Sequence, residues 1–309
     1  MCGIVGYIGE RNVLPILLDG LKKLEYRGYD SAGIAVYNGR GSINIVKCKG
    51  RLKCLEEKIN NMSNSLLIGN MGIGHTRWAT HGEPNDVNSH PHVSNSGKIA
   101  VVHNGIIENY MKLKEMLETQ GFAFVSETDT EVIAHLIEYY YNGNIFNAIS
   151  GALKQMEGSY ALAVIFADWP DGFAAARKGS PLIIGLGEGE NFIASDIPAI
   201  LSYTRRAYLL DDGEIALVNR DEAMIWDAFG NKINKDIFKI EWDVSSAEKS
   251  GYEHFMVKEI CEEPEAIKNT INTRIRNGRI LSGSSFFSCE SSDNDNINYI
   301  RKIFIVACG

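Results

Sequence analysis

The order in which two hydrophobic periodicities alternate along the chain constrains its fold more than any other feature. The opening run 3–8 has strand character, and Leu14, Leu17, Leu18, Leu21 and Leu24 then recur at helical spacing behind Asn12 as an N-cap. Further strand-like runs occupy 33–37, 43–47, 71–76 and 99–103, followed after a helical stretch by 159–167, 173–177, 182–186, 192–195, 214–218 and 223–227. The intervening stretch predicts helices over 109–120, 129–141 and 145–156. Leu113, Met116 and Leu117 face inward on the first, with Gly121 ending it, and Ile133, Leu136, Ile137 and Tyr140 face inward on the second. Thr128 and Glu131 have the spacing of a capping box. Strands grouped in runs between blocks of helix favour an α+β sandwich of antiparallel sheets over a regular βαβ alternation.

Beyond residue 242 the pattern changes. Residues 245–251 read as a linker, 255–273 as helix, 282–296 as a Ser/Asn/Asp-rich connection and 303–307 as a buried strand. The expected organisation is therefore a main domain over 2–242, a linker or helical connection over 243–300, and the start of a second domain over 301–309. A strand followed at once by the last two residues gives the expectation of a truncated chain. With 309 residues, 45% of them hydrophobic, a sizeable core can form.

Charge narrows the partners. Acidic residues outnumber basic ones by 39 to 31, and no dense Lys/Arg stripe tracks a phosphate backbone, so nucleic acid is not an expected partner. The apolar stretch 160–167 is far short of a membrane span, and residues 1–20 carry no export leader, so neither membrane nor secretion is expected. The six cysteines form no CxxC pair, which suits a reducing cytoplasm; Cys48 and Cys54 flank a turn and read as inert thiols. His90-x-His92 invites a metal-site reading, but no cysteine or clustered carboxylate completes a ligand set, so no metal is expected. Gly185-Leu-Gly-Glu-Gly189 precedes no helix and reads as a hairpin or loop rather than a phosphate cradle.

Chemistry concentrates at the N-terminus. Cys2 follows only the initiator methionine, whose removal leaves one residue with both a thiol and a free amine. A terminal amine has a pKa of roughly 7.7–8.0, so about a quarter of it is neutral near pH 7.4 and able to take the thiol proton. Attack of the sulfur on a carboxamide would release ammonia and leave a thioester for water to hydrolyse. On the dipeptide alone a Cys at position 2 reads more readily as an accident, but context reverses this: Gly3 permits close backbone approach and Ile4-Val5 anchors the terminus in a sheet.

Three segments, Met1-Cys-Gly-Ile-Val-Gly-Tyr-Ile8, Tyr26-Arg-Gly-Tyr-Asp-Ser-Ala-Gly33 and His75-Thr-Arg-Trp-Ala-Thr-His-Gly-Glu-Pro84, resemble the glutaminase half of the glucosamine-6-phosphate synthase family. Val101–Asn109, Ser126–Glu131, Glu190–Asp196 and Lys258–Pro264 continue the resemblance in family order. It implies class II glutamine amidotransferase chemistry in a four-layer αββα sandwich of two antiparallel sheets, the N-terminal-nucleophile hydrolase type, with no cofactor. Residues 301–309 then correspond to the first strand of a sugar-phosphate isomerase domain, so fructose 6-phosphate would be met only through missing residues, and a homodimer is implied for the full-length protein.

The same resemblance assigns roles. Cys2 is the nucleophile, and Asn104 and Gly105 form the oxyanion hole. Arg77 holds the carboxylate of L-glutamine and Asp129 its ammonium, while Trp78, Thr80 and His81 belong to a loop that covers the substrate; Arg27 orders Cys2 or that loop, with an inter-strand structural role as the alternative. Read without the family, Asn104-Gly105 is a two-residue hairpin signal and Arg77 or Asp129 an ordinary ion-pair member. Two other functions compete: the amidotransferase half of amidophosphoribosyltransferase, which lacks the Tyr26–Asp30 wording, and a catalytically silent module that binds glutamine or a partner. Intact nucleophile and pocket positions argue against the second.

Overall fold

The structure is a computed structural model and describes residues 2–62, 67–241, 252, 255–272, 275–276 and 279–280. In chain order the elements are β1 (Gly3–Ile8), α1 (Val13–Leu24), β2 (Ser31–Tyr37), β3 (Ile43–Lys49), α2 (Leu52–Asn60), β4 (Met71–Arg77), β5 (His92–Val93) and β6 (Ile99–Ile107). There follow α3 (Tyr110–Thr119), α4 (Thr130–Tyr140), α5 (Ile145–Leu153), β7 (Gly158–Phe166), β8 (Gly172–Lys178), β9 (Ile183–Leu186) and β10 (Asn191–Ala194). Strands β11 (Arg206–Leu209), β12 (Ile215–Asn219), β13 (Ala223–Trp226), β14 (Lys232–Ile233) and β15 (Phe238–Lys239) complete the first of two compact units, Met1–Glu248. In the second unit, Lys249–Gly309, the described elements are α6 (Phe255–Asn272) and a hairpin of β16 (Ile275–Arg276) with β17 (Arg279–Ile280).

Two antiparallel sheets form the first unit, in the orders β15-β11-β9-β10-β1-β4-β2-β3 and β14-β13-β12-β8-β7-β6-β5. Three apolar cores separate four layers. One core lies between the sheets and takes Ile4, Ile8, Ile73, Ala100, Val102, Ala161 and Ala163. A second packs α1 and α2 on the outer face of the first sheet, and a third packs α3, α4 and α5 on the outer face of the second. The result is the α–β–β–α sandwich that the family resemblance implies, built from the antiparallel sheets expected from the strand grouping.

Period-2 alternation explains why some strands read as continuous apolar runs. In β7, Tyr160, Leu162, Val164 and Phe166 face the helices, while Ala161, Ala163 and Ile165 face the other sheet. A strand buried on both faces has no polar side to show. Burying a side chain such as Leu162 or Phe166 contributes about 1.5–3 kcal/mol, so this strand is a large part of what holds the layers together.

Local signals mostly hold. Asn12 caps α1 by accepting from the Leu14 N–H, and the helices expected over 109–120, 129–141 and 145–156 all form, within a few residues at each end. The Gly185–Gly189 segment joins antiparallel β9 and β10, as a hairpin would. Helix α2 is an addition: Leu52, Leu55 and Ile59 are buried at helical spacing in what read as a turn beside Cys54. The capping box does not form, because Glu131 accepts from the Val125 and Ser126 N–H groups, farther upstream, and the Thr128 hydroxyl bonds His92 Nε2. The strand expected over 303–307 and the junctions expected near 300 lie outside the described residues.

Candidate active site

One end of the inter-sheet core is polar, and strand alternation builds it. Going along β1 toward the N-terminus, the inward row is Ile8, Gly6, Ile4 and then Cys2; along β4 it is Met71, Ile73, His75 and Arg77; along β6 it is Ala100, Val102 and Asn104. Because β1 and β2 both run antiparallel to β4, with Gly3 opposite Thr76 and Ser31 opposite Arg77, the start of β1, the end of β4 and the start of β2 lie at one end of the first sheet. Each row changes from apolar to polar at the same end of the sandwich.

Cys2 is partly buried there. Its Sγ accepts from the Trp78 N–H at 3.2 Å and faces the Trp78 carbonyl at 3.5 Å. Gly3 lets the terminus lie this close: a Cβ at that position would sit 2.6 Å from Thr76 Oγ1 and 2.7 Å from the Leu24 Cβ. The next residue is anchored twice to β10's exit, the Ile4 N–H donating to Ser195 Oγ at 2.9 Å and the Ile4 carbonyl accepting from the Ser195 N–H at 3.0 Å.

Arg77, only 3% exposed, sends Nη2 to the carbonyls of His81 and Gly82, so the guanidinium is clasped by the loop that follows its own strand. Its buried Nη1 meets no hydrogen-bond partner among the described residues. Trp78 is 45% exposed and packs edge-on against Tyr29, with ring centroids 5.3 Å apart. Thr80 is exposed on the same loop, and His81 packs edge-on against Tyr110. Asp30 supports the loop by accepting from the Ala79 N–H at 2.8 Å.

Asn104 and Gly105 lie inside β6, opposite Ala161 and Tyr160, so the hairpin reading of this dipeptide is corrected: the strand runs on to Ile107. Gly105 has φ +138, a conformation that suits glycine, and a Cβ there would collide with the Ser159 carbonyl. Asn104 Nδ2 donates to the Cys2 carbonyl at 3.0 Å, tying the second sheet to the residue that precedes β1. Asp129, buried just before α4, accepts from the Ile107 N–H at 2.9 Å. Arg27 instead pairs with Asp196 at 2.5 Å, and Tyr26 OH donates to the same carboxylate.

A group of histidines lies behind these residues. His75 Nε2 is 3.0 Å from Asn104 Oδ1 and 3.1 Å from the His103 carbonyl, and its ring stacks on His90 at 4.1 Å. His103 Nδ1 and His90 Nε2 both approach the Thr130 hydroxyl. Burial pushes the His75 pKa down to about 3 and those of His90 and His92 well below the ordinary range, so these rings are neutral at working pH. Burial also raises the Cys2 thiol, a tendency opposed by the Trp78 N–H and by Arg77. For Arg77 burial lowers the pKa, and Cys2, Asp129 and Asp30 act in the opposite direction. Asp30, Ser195 and His75 are contributors the sequence reading did not single out; for His75 the signal was there, two residues before Arg77 on one strand face.

A family model described as a glutamine amidotransferase domain matches residues 75–202. A glutamine–fructose-6-phosphate aminotransferase (isomerizing) of Caldanaerobacter subterraneus subsp. tengcongensis is 59% identical over 314 residues, covering 100% of this chain and 50% of that protein. The protein of the same name from Clostridium tetani is 53% identical over 309 residues, with the same coverage. The chain is similar to these aminotransferases along its whole length and to a glutamine amidotransferase domain over residues 75–202. It spans about half the length of the curated relatives it matches. Among solved structures, the glutamine phosphoribosylpyrophosphate amidotransferase from B. subtilis, complexed with ADP and GMP, aligns with TM-score 0.60 and 27% identity over 78% of this chain and 50% of that one. The motif resemblance and the layered fold are borne out, and the purine-synthesis rival appears only at this lower similarity. Among the described residues, no helix is long and apolar enough to cross a membrane.

Proposed function

We propose that this chain hydrolyses the side-chain amide of L-glutamine through a Cys2 thioester, as the ammonia-donating half of a longer, cytoplasmic, homodimeric enzyme that aminates fructose 6-phosphate. The observation that carries the reading is the sharing of one end of the sandwich by the Cys2 thiol and the buried Nη1 of Arg77, which has no partner among the described residues. A buried guanidinium nitrogen without a partner is costly, and a substrate carboxylate would satisfy it by a charge-assisted bond. Asp129, oriented by the Ile107 N–H, would take the ammonium of the same zwitterion.

The raised thiol pKa defines the first step. Resting Cys2 is a thiol, so its proton passes to the α-amine as sulfur bonds the amide carbon. The carbonyl oxygen becomes an oxyanion, met by Asn104 Nδ2 and the Gly105 N–H. As the C–N bond breaks, the ammonium returns its proton and ammonia leaves; water, deprotonated by the amine, then attacks the thioester and releases glutamate. Trp78, Thr80 and His81 would close over the substrate and exclude water, and Arg27, through Asp196, would hold the neighbouring turn.

Ammonia release from glutamine by the chain with Met1 removed, verified by intact mass and run with and without fructose 6-phosphate, tests the proposal. The processed chain is expected to release ammonia, whereas a chain retaining Met1, whose Cys2 nitrogen is an amide and no base, is expected to be nearly inactive. Full turnover with Met1 in place would overturn the mechanism, and a processed chain that binds glutamine without releasing ammonia would mark it as a silent binding module.

A further inference from the structure

We infer that His75 is a positioning residue for the hydrolysis, its Nε2–H holding the Asn104 amide in the one orientation that turns Nδ2 toward the reacting centre. The inference rests on the glutaminase reading and adds to it a residue that touches neither substrate nor sulfur.

The hydrogen-bond inventory settles the proton positions. Nδ2 of Asn104 faces the Cys2 carbonyl, an obligate acceptor, so that atom is the amide nitrogen and Oδ1 is the atom facing His75. His75 Nε2 thus meets two acceptors, Asn104 Oδ1 at 3.0 Å and the His103 carbonyl at 3.1 Å, and must carry a hydrogen. Its Nδ1 is buried and meets no partner among the described residues, which suits the bare lone pair of that tautomer. The ring is held flat against His90, with 14° between the planes, and is only 1% exposed. Burial keeps it neutral, so the donor does not vary with pH over the working range.

The geometry has a consequence for rate. An asparagine amide can exchange its oxygen and nitrogen by rotating half a turn, and only one of the two states presents a donor to an oxyanion. In the flipped state Nδ2 would face the His75 N–H and Oδ1 would face the Cys2 carbonyl, so two donors and two acceptors would oppose each other. His75 makes that state unfavourable, and it does so before substrate arrives. A leucine at 75 would keep the bulk but orphan Oδ1, releasing the amide to turn.

The test uses the processed full chain and glutamine hydrolysis. His75→Leu is expected to lower kcat about 10- to 100-fold, less than the roughly 10²–10³-fold typical of deleting an oxyanion donor, with glutamine KM within about twofold. His75→Gln, which can place an N–H near the same point, is expected to recover most of the loss. In an Asn104→Ala background, His75→Leu is expected to have little further effect, a non-additivity that general loosening of the fold would not produce. An unchanged kcat in His75→Leu, or an equal loss with and without Asn104, would overturn the inference. Nitrogen NMR of the histidine rings gives a readout independent of activity, and covers a His75→Leu chain that fails to fold. The Nε2–H tautomer, unchanged between about pH 8 and 5, is expected for wild type; the Nδ1–H tautomer would overturn the inference even if the chain released no ammonia, an outcome that by itself would sink only the glutaminase reading.

Discussion

The two sheets deliver different kinds of residue to the same end of the sandwich. The first sheet contributes chiefly from the ends of its strands: Cys2 precedes β1 by one residue, Arg77 is the last residue of β4, and Trp78, 45% exposed, opens the loop that clasps it. The second contributes from inside: Asn104, 7% exposed, is paired with Ala161 in β6 and backed by His75. Parts that must admit a substrate and then cover it sit where backbone hydrogen bonds do not hold them. A donor aimed at a developing charge works best when it is fixed beforehand, and a strand in mid-ladder fixes it.

The largest expected effect breaks the first-sheet side altogether. Cys2→Ala is expected to abolish ammonia release while leaving the thermal midpoint within about 2 °C, since a partly buried thiol adds little to the core. Residual turnover would remove Cys2 from the scheme. On the second sheet, Asn104→Ala is expected to reduce kcat about 10²–10³-fold with little change in KM, because its donor serves the transition state and not the bound amide; a KM effect alone would place Asn104 in substrate binding. Arg77→Ala sharpens the contrast, with glutamine KM expected to rise about 10- to 100-fold, in line with about 1.5–3 kcal/mol for a hydrogen bond to a charged group, and kcat less affected. Steady-state kinetics of both variants separate the two roles.

The smallest effect concerns pH. His75 has its folded pKa depressed to about 3, below an unfolded value near 6.5, so the unfolded chain binds more protons between those limits. Its contribution to stability is therefore fully present above pH 6.5 and is lost as the pH falls, by up to about 1.4 kcal/mol per pH unit until the folded pKa is reached. His90, His92 and His103, also depressed by burial, act in the same direction. Denaturant midpoints at pH 7, 6 and 5 check this. Stability that is flat over that window would mean the rings are not buried neutral.

How much of this was legible in the residues varies with the range of the interaction. The Asn12 cap and helices α3 to α5 depend on neighbours within a turn or two, and the motifs around Cys2, Arg77 and Asn104 carried the family resemblance. Helix α2 was missed because its three apolar anchors span barely two turns beside a glycine-marked turn. The hairpin reading of Asn104-Gly105 failed for a different reason. A dipeptide's turn preference is a local bias, and nine consecutive pairings with β7 override it.

The sequence by itself determined the alternation of each strand, the thiol carried by Cys2 and the motifs that resemble a known family. Which polar ends of those alternations meet was decided only by the tertiary structure. Cys2 and His75 reach Asn104 across 102 and 29 residues of chain, and nothing local encodes such a distance. Packing the two inner faces together, driven by the apolar ends of the same rows, brings their polar ends into one place and removes water from around them. That burial is what keeps the His75 ring neutral and leaves Arg77 Nη1 without a partner among the described residues.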